Sequence, residues 1–93
     1  MLDFYADWCL PCKELDQNTF SDPRVKAEMN RFTRLKADLT LANEKSDRLS
    51  REFTIVGVPT IVFIDASGKE VRDLRLTGFE GPDAFLRRLG QIR

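Results

Sequence analysis

The stretch MLDFYADWCLPC narrows what this chain can fold into more than any other. Residues 1 to 6 are apolar and β-prone apart from Asp3, and read as a buried strand. The first cysteine follows almost at once. LPCKELDQNTF then has helical composition, in which Pro11 is tolerated only in a first turn. Cys9 and Cys12, the only two cysteines of the chain, therefore fall three positions apart where a strand gives way to a helix.

The rest of the chain extends that alternation. SDPRVKAEMNRF carries a helix start, with Ser21 or Asp22 as cap and Pro23 at the first helical position, and puts Val25, Met29 and Phe32 on one face. TRLKAD reads as a second strand. LANEKSDRLSREF reads as a helix with Leu41, Leu49 and Phe53 turned inward. TIVFID is short and continuously apolar, the mark of a strand covered on both faces. DASGK is a turn with Gly68 free to take positive φ, and EVRDLRLTG returns as the hairpin partner. Gly81, Pro82 and Asp83 open a last helix, with Phe85, Leu89 and Ile92 sharing a face. Strands separated by helices favour parallel pairing, and the late hairpin is antiparallel. The expectation is an α/β fold: one domain over residues 1–93, a mixed four-stranded sheet with helices on both faces.

Bulk composition excludes several functions. Hydrophobic residues make up 42% of the 93, enough for one core and unlike a disordered chain. Fifteen basic residues balance fifteen acidic ones with no basic block, so nucleic acid and anionic membrane surfaces are poor partners. No apolar run approaches the ~18 residues of a membrane helix. The opening lacks the basic region of a signal peptide. Strand-like residues begin at position 1 or 2, which suggests a domain excised from a longer polypeptide.

The cysteine pair admits three readings. A structural zinc ion wants four ligands, and this chain has no histidine and no second pair, so only a dimer could complete the shell. A staple of this span closes a ring worth only about 2 kcal/mol, against roughly 3 for a fifteen-residue loop, and constrains nothing distant. A redox pair fits the placement. Cys9 at a helix N-terminus meets unpaired N–H groups and the positive end of the helix dipole, which favour a thiolate. Cys12 lies one turn deeper, within reach of the mixed disulfide that Cys9 would form, and Pro11 stiffens the turn between them.

DFYADWCLPCK resembles the active site of the thioredoxin family, and VGVPTIVFID resembles that family's cis-proline loop and following strand. LTGFEGPDAFLRRL matches a later segment. Within the superfamily the chain is most similar to the C-terminal domain of the transmembrane thiol:disulfide interchange (DsbD) family, through YADWC, CKELDQNTFSDPRV and GVPTIVFID with LTGFEG. The TFSDPRV stretch discriminates, because ordinary thioredoxins do not carry it there. The resemblance spans nearly all of the chain and lacks only the family's N-terminal strand and helix. It implies a thioredoxin-like fold and a protein-disulfide reductase without metal or other cofactor, acting as a monomeric domain at the periplasmic face of a bacterial inner membrane. A membrane-embedded cysteine pair would be the electron donor. A periplasmic partner domain would be the acceptor, passing electrons on to disulfide isomerases and cytochrome c biogenesis. A free cytoplasmic thioredoxin-like reductase and a non-catalytic redox-sensing binding module are the rival readings.

Residue roles follow from both lines. Cys9 is expected to be the exposed attacking thiol and Cys12 the buried resolving one. Asp3 stands in an apolar strand six positions before Cys9, where burial raises its pKa and makes it a candidate proton acceptor for Cys12; its alternative is to point outward at the strand's end. It matches the buried aspartate of thioredoxin-like enzymes. Pro59 opens a strand, and the resemblance makes the Val58–Pro59 bond cis and turns it towards the cysteines and a substrate's extended segment. Asp16, four positions after Cys12, shares its helix face and matches an acid near the active site of DsbD relatives; otherwise it is an ordinary solvated charge. Together the two acids disfavour a thiolate and push the pair towards a reducing potential. Trp8 shields Cys9 and offers apolar surface to partners, with Tyr5 beside it. Lys36 neutralises Asp3 if the second strand pairs with the first.

Overall fold

Leu2–Tyr5 alternates its side chains between the two faces of a sheet, and each face is buried by different helices. The computed structural model describes residues 1–92. In chain order these form β1 (Leu2–Tyr5), α1 (Leu10–Glu14), a π-helical continuation (Leu15–Thr19), α2 (Pro23–Met29), β2 (Leu35–Asp38), α3 (Glu44–Glu52), β3 (Thr60–Val62), a 3-10 turn (Arg72–Leu74), β4 (Leu76–Thr77) and α4 (Pro82–Leu89). The sheet order is β2-β1-β3-β4. One face carries Ile61, Phe63 and Leu76 under Leu15, Val25 and Phe85 from the first helical layer. Phe63 and Phe85 are fully buried with ring centroids 6.3 Å apart. The other face carries Phe4, Ala37 and Val62, covered by Leu49 and Phe53 of α3 and the residue after it.

β1 and β2 pair in parallel, with Asp3 opposite Lys36, and β3 and β4 pair antiparallel. β3 also runs antiparallel to β1, with Phe4 opposite Thr60 and Leu2 opposite Val62, where an intervening helix had favoured parallel pairing. The reason lies in the loops around α3. Its nine residues carry the chain only about 13 Å along its axis. Residues 39–43 and 53–59 then return it to the end of the sheet where β2 finished. That reversal brings Pro59 to the same end of the sheet as Cys9.

Asp22, one of the two caps the sequence offered, takes the N-cap of α2, its carboxylate accepting the N–H groups of Arg24 and Val25. Other differences from the sequence reading trace to particular contacts. The helix that holds the cysteines turns π-helical after Glu14, closed by the Phe20 N–H donating to the Leu15 carbonyl at 2.8 Å. The extra residue in the turn lets two neighbours face inward: the Thr19 hydroxyl donates to the Glu80 carbonyl, and Phe20 packs edge-on to Phe85. The hairpin partner is not one long strand. Glu70 pairs with Ile64 in a single bridge, and the strand proper is only Leu76–Thr77. Between them Arg75 clasps Glu70 through two bonds of 2.8 and 2.9 Å, drawing together residues five apart and forcing the 3-10 turn. Leu41 is 75% exposed, because α3 begins only at Glu44, after the Asn43–Ser46 capping box.

Candidate active site

Cys9 is the N-cap of α1, in extended conformation, and Pro11 sits in the first turn. Cys9 and Cys12 are joined as a disulfide with Cα atoms 5.3 Å apart, and the Cys12 backbone N–H donates to Cys9 Sγ at 3.2 Å. The first sulfur therefore sits where a helix offers free donors, and charge on it would be met by an oriented N–H. Ala6 is buried with the pair, and Tyr5 and Val58 pack against it. The expected contrast in exposure is absent: Cys9 is 3% exposed and Cys12 6%. In the closed disulfide both cysteines are buried in one cluster with Ala6, against which Tyr5 and Val58 pack. What distinguishes Cys9 is its place at the helix start, not access to solvent.

Asp3 faces inward, 7% exposed, on the same sheet face as Ile61. Burial pushes its carboxyl up from 3.8 to about 6; Lys36 across the strand pair pulls it back, and Asp16 adds a smaller push upward. Asp3, Asp16 and Lys36 line one crevice of about 280 Å³, with Phe20, Met29 and Arg34 on its walls. Asp16 is itself exposed. The pairing of Asp16 is thus with Asp3 across the crevice, and neither cysteine lines that space. Lys36 Nζ also lies 4.5 Å from the centre of the Tyr5 ring, which fixes the cation between the buried acid and the residue packed on the disulfide.

The Val58–Pro59 peptide bond is cis. Pro59 is buried, and its carbonyl accepts the Gly78 N–H at 3.1 Å, tying this loop to the end of β4. Trp8 is 68% exposed, and its indole N–H donates to the Thr40 carbonyl at 3.3 Å. Leu10 (66%), Val56 (98%) and Phe79 (43%) are further exposed apolar side chains on the segments adjoining the cysteines, Val58 and Gly78. Thr40 was missed in the sequence. Its signal is the D-x-T spacing at the end of β2, which makes a local side-chain turn. Among the described residues no group of three or more His, Cys, Asp or Glu could hold a metal ion.

A disulfide across the first turn of a helix, at the strand end where a proline loop packs on it, defines a thioredoxin-like thiol–disulfide exchange domain. The comparisons agree. The family model described as a thioredoxin-like domain matches residues 1–93. The oxidised C-terminal domain of DsbD from Neisseria meningitidis superposes with a TM-score of 0.88 at 30% identity, covering 99% of this chain and 78% of that one. A thioredoxin from Thermus thermophilus superposes with a TM-score of 0.80 at 26% identity, over 97% and 69% of the two chains. The thiol:disulfide interchange protein DsbD of Pectobacterium atrosepticum is 47% identical over 85 residues, 91% of this chain and 15% of that protein. DsbD of Actinobacillus pleuropneumoniae is 42% identical over 92 residues, 99% of this chain and 16% of that protein. The chain belongs to the thioredoxin-like family and, within it, to the C-terminal domains of DsbD. It spans about 15% of the length of the curated relatives it matches.

Proposed function

We propose that the domain reduces protein disulfides as one relay of a membrane-linked electron path, its Cys9–Cys12 pair cycling between dithiol and disulfide. The supporting observation is the disulfide at the start of α1, with Cys9 as the cap. In the dithiol form the Cys9 thiolate attacks a partner's disulfide. A bond forms between Cys9 Sγ and one partner sulfur, and the other partner sulfur leaves as a thiolate. Cys12 gives its proton to the Asp3 carboxylate and attacks Cys9 Sγ. This closes the Cys9–Cys12 disulfide and releases the second partner sulfur, so the partner has gained two electrons. A donor dithiol reverses the sequence to reload the domain. To Asp3 and Asp16, which line one crevice, we assign the effect of disfavouring a standing thiolate and favouring a reducing potential. Trp8, Pro11, Val58 and Pro59 form the surface a partner's extended segment meets.

The relatives' name and the length of those proteins support the wider reading: a domain of a longer membrane protein, facing the periplasm, with a membrane-embedded cysteine pair as donor and a periplasmic domain as acceptor. Among the described residues no helix is long and apolar enough to cross a membrane. Insulin reduction by dithiothreitol, followed by turbidity, tests the activity. Catalytic amounts of the domain accelerate precipitation, Cys9→Ser abolishes the effect, and Cys12→Ser accumulates a mixed disulfide. No acceleration by the wild type overturns the reading. A redox titration followed by Trp8 fluorescence tests the direction, and a midpoint near that of the oxidant DsbA, about −120 mV, overturns it.

A further inference from the structure

Two hydrogen bonds from the segment just before Cys9 converge on Thr40, in the loop that trails β2. The Asp7 backbone N–H donates to Thr40 Oγ1 at 2.9 Å, and the Trp8 indole N–H donates to the Thr40 carbonyl at 3.3 Å. Asp38 Oδ1 accepts both the Thr40 N–H, at 2.9 Å, and the Thr40 hydroxyl. The direction of this chain is fixed by its donors. A hydroxyl has one proton; Asp7 offers only N–H, so Thr40 Oγ1 must accept there and spend its proton on the Asp38 carboxylate. Asp38 is anchored in turn as the last residue of β2, paired with Tyr5 of β1. The loop from Asp7 to Trp8 has one further backbone tie nearby, the Cys9 N–H to the Ala6 carbonyl at 3.2 Å.

We infer that Thr40, oriented by Asp38, is a positioning residue that holds the Asp7–Trp8 segment and so sets where Cys9 stands at the mouth of α1. This rests on the exchange function proposed above. The hydroxyl is the indispensable part, because it alone both accepts from Asp7 and donates to Asp38. Thr40→Val keeps the shape of the side chain and loses both bonds; Thr40→Ser keeps both. Both side chains of the brace are polar and near the surface, so core packing does not explain their arrangement.

The test compares wild type, Thr40→Val and Thr40→Ser by the second-order rate of the dithiol form with a small aromatic disulfide, and by the change in Trp8 emission on reduction. Thr40→Val slows the exchange about tenfold, within the ~100-fold that an ångström-scale misplacement costs. It also alters the change in Trp8 emission on reduction, while Thr40→Ser restores both to within about twofold of wild type. Hydrogen exchange in the wild type needs no variant: the Asp7 amide, in an exposed residue, is protected at least about tenfold relative to a free peptide. The inference is overturned by a Thr40→Val protein that exchanges and fluoresces as wild type, by Thr40→Ser failing as Thr40→Val does, or by an unprotected Asp7 amide. A wild type without exchange activity would instead remove the proposed function, and the amide protection and Trp8 emission would still decide the brace.

Discussion

Replacing Asp3 with asparagine separates what this carboxyl costs the fold from what it does for the chemistry. Its carboxyl is raised from 3.8 to about 6, first by burial, against the pull of Lys36. The folded protein therefore keeps a proton that the unfolded chain has already lost. For a group raised in this way stability is complete below about pH 4, falls as pH rises through about 6, and levels off above about pH 7. At 1.36 kcal/mol per pH unit the ionised carboxylate weakens the fold by about 3 kcal/mol at pH 8, a large part of the 5–15 kcal/mol that typically holds a domain together. Asp3→Asn cannot ionise, and the crevice of about 280 Å³ beside it gives its amide access to water. Urea unfolding of the disulfide forms at pH 4, 6 and 8 should find the variant close to wild type at pH 4 and about 3 kcal/mol more stable at pH 8. A difference that does not change with pH refutes the burial argument. On the proposed role of Asp3 as proton acceptor for Cys12, resolution of the mixed disulfide slows in the same variant while the first attack by Cys9 does not. Unchanged resolution removes Asp3 from the mechanism and leaves the stability argument standing.

Three further perturbations read other parts of the structure. Lys36→Met removes the charge that restrains Asp3, so the midpoint of the pH-dependent stability difference between Lys36→Met and the double variant with Asp3→Asn moves above that of the wild-type pair; an unmoved midpoint denies the coupling. Thr54 holds φ at 54° just after α3, and its N–H and that of Ile55 close the helix end on Arg51 and Ser50. Because a β-branched residue is costly in that conformation, Thr54→Gly raises stability by about 1 kcal/mol by urea unfolding, and a loss would show that the hydroxyl or methyl has a role there. Phe63→Ala empties the centre of the larger core, where Phe63 is 0% exposed between Phe32 and Phe85, and lowers unfolding free energy by about 3–5 kcal/mol.

How much of this was legible in the sequence depended on how local each cause was. The helix starting at Pro23 could be read because Asp22 caps it from one residue away, and the turn at Gly68 because its positive φ of 85° needs glycine. The cysteine site was legible for the same reason, since strand, cap and proline are contiguous. The π-helical turn was not, because its composition is that of any helix and the contact that goes with it, the Thr19 hydroxyl on the Glu80 carbonyl, spans 61 residues. The broken hairpin strand escaped as well: the Glu70–Arg75 clasp looks in sequence like two ordinary surface charges. Thr40 lay open to a closer reading of D-x-T, but its partner Asp7 is 33 residues away.

The direction of β3 escaped the sequence reading for a topological reason, and the site depends on it. A β3 parallel to β1 would begin at the far end of the sheet, near Leu2, and would carry Pro59 away from the cysteines. The observed register sets Thr60 opposite Phe4, two residues from the Ala6 that is buried with the disulfide. Val58 can pack on the disulfide only because the loops around a short α3 return the chain to the end of the sheet where it left. Lengthening α3 by two full turns without altering either loop would carry the proline loop about 11 Å along the helix axis, with every residue of the C-x-x-C turn unchanged. The disulfide is thus a local product of residues 9–12, whereas the packing of Val58 and its proline loop beside it is a product of the crossover.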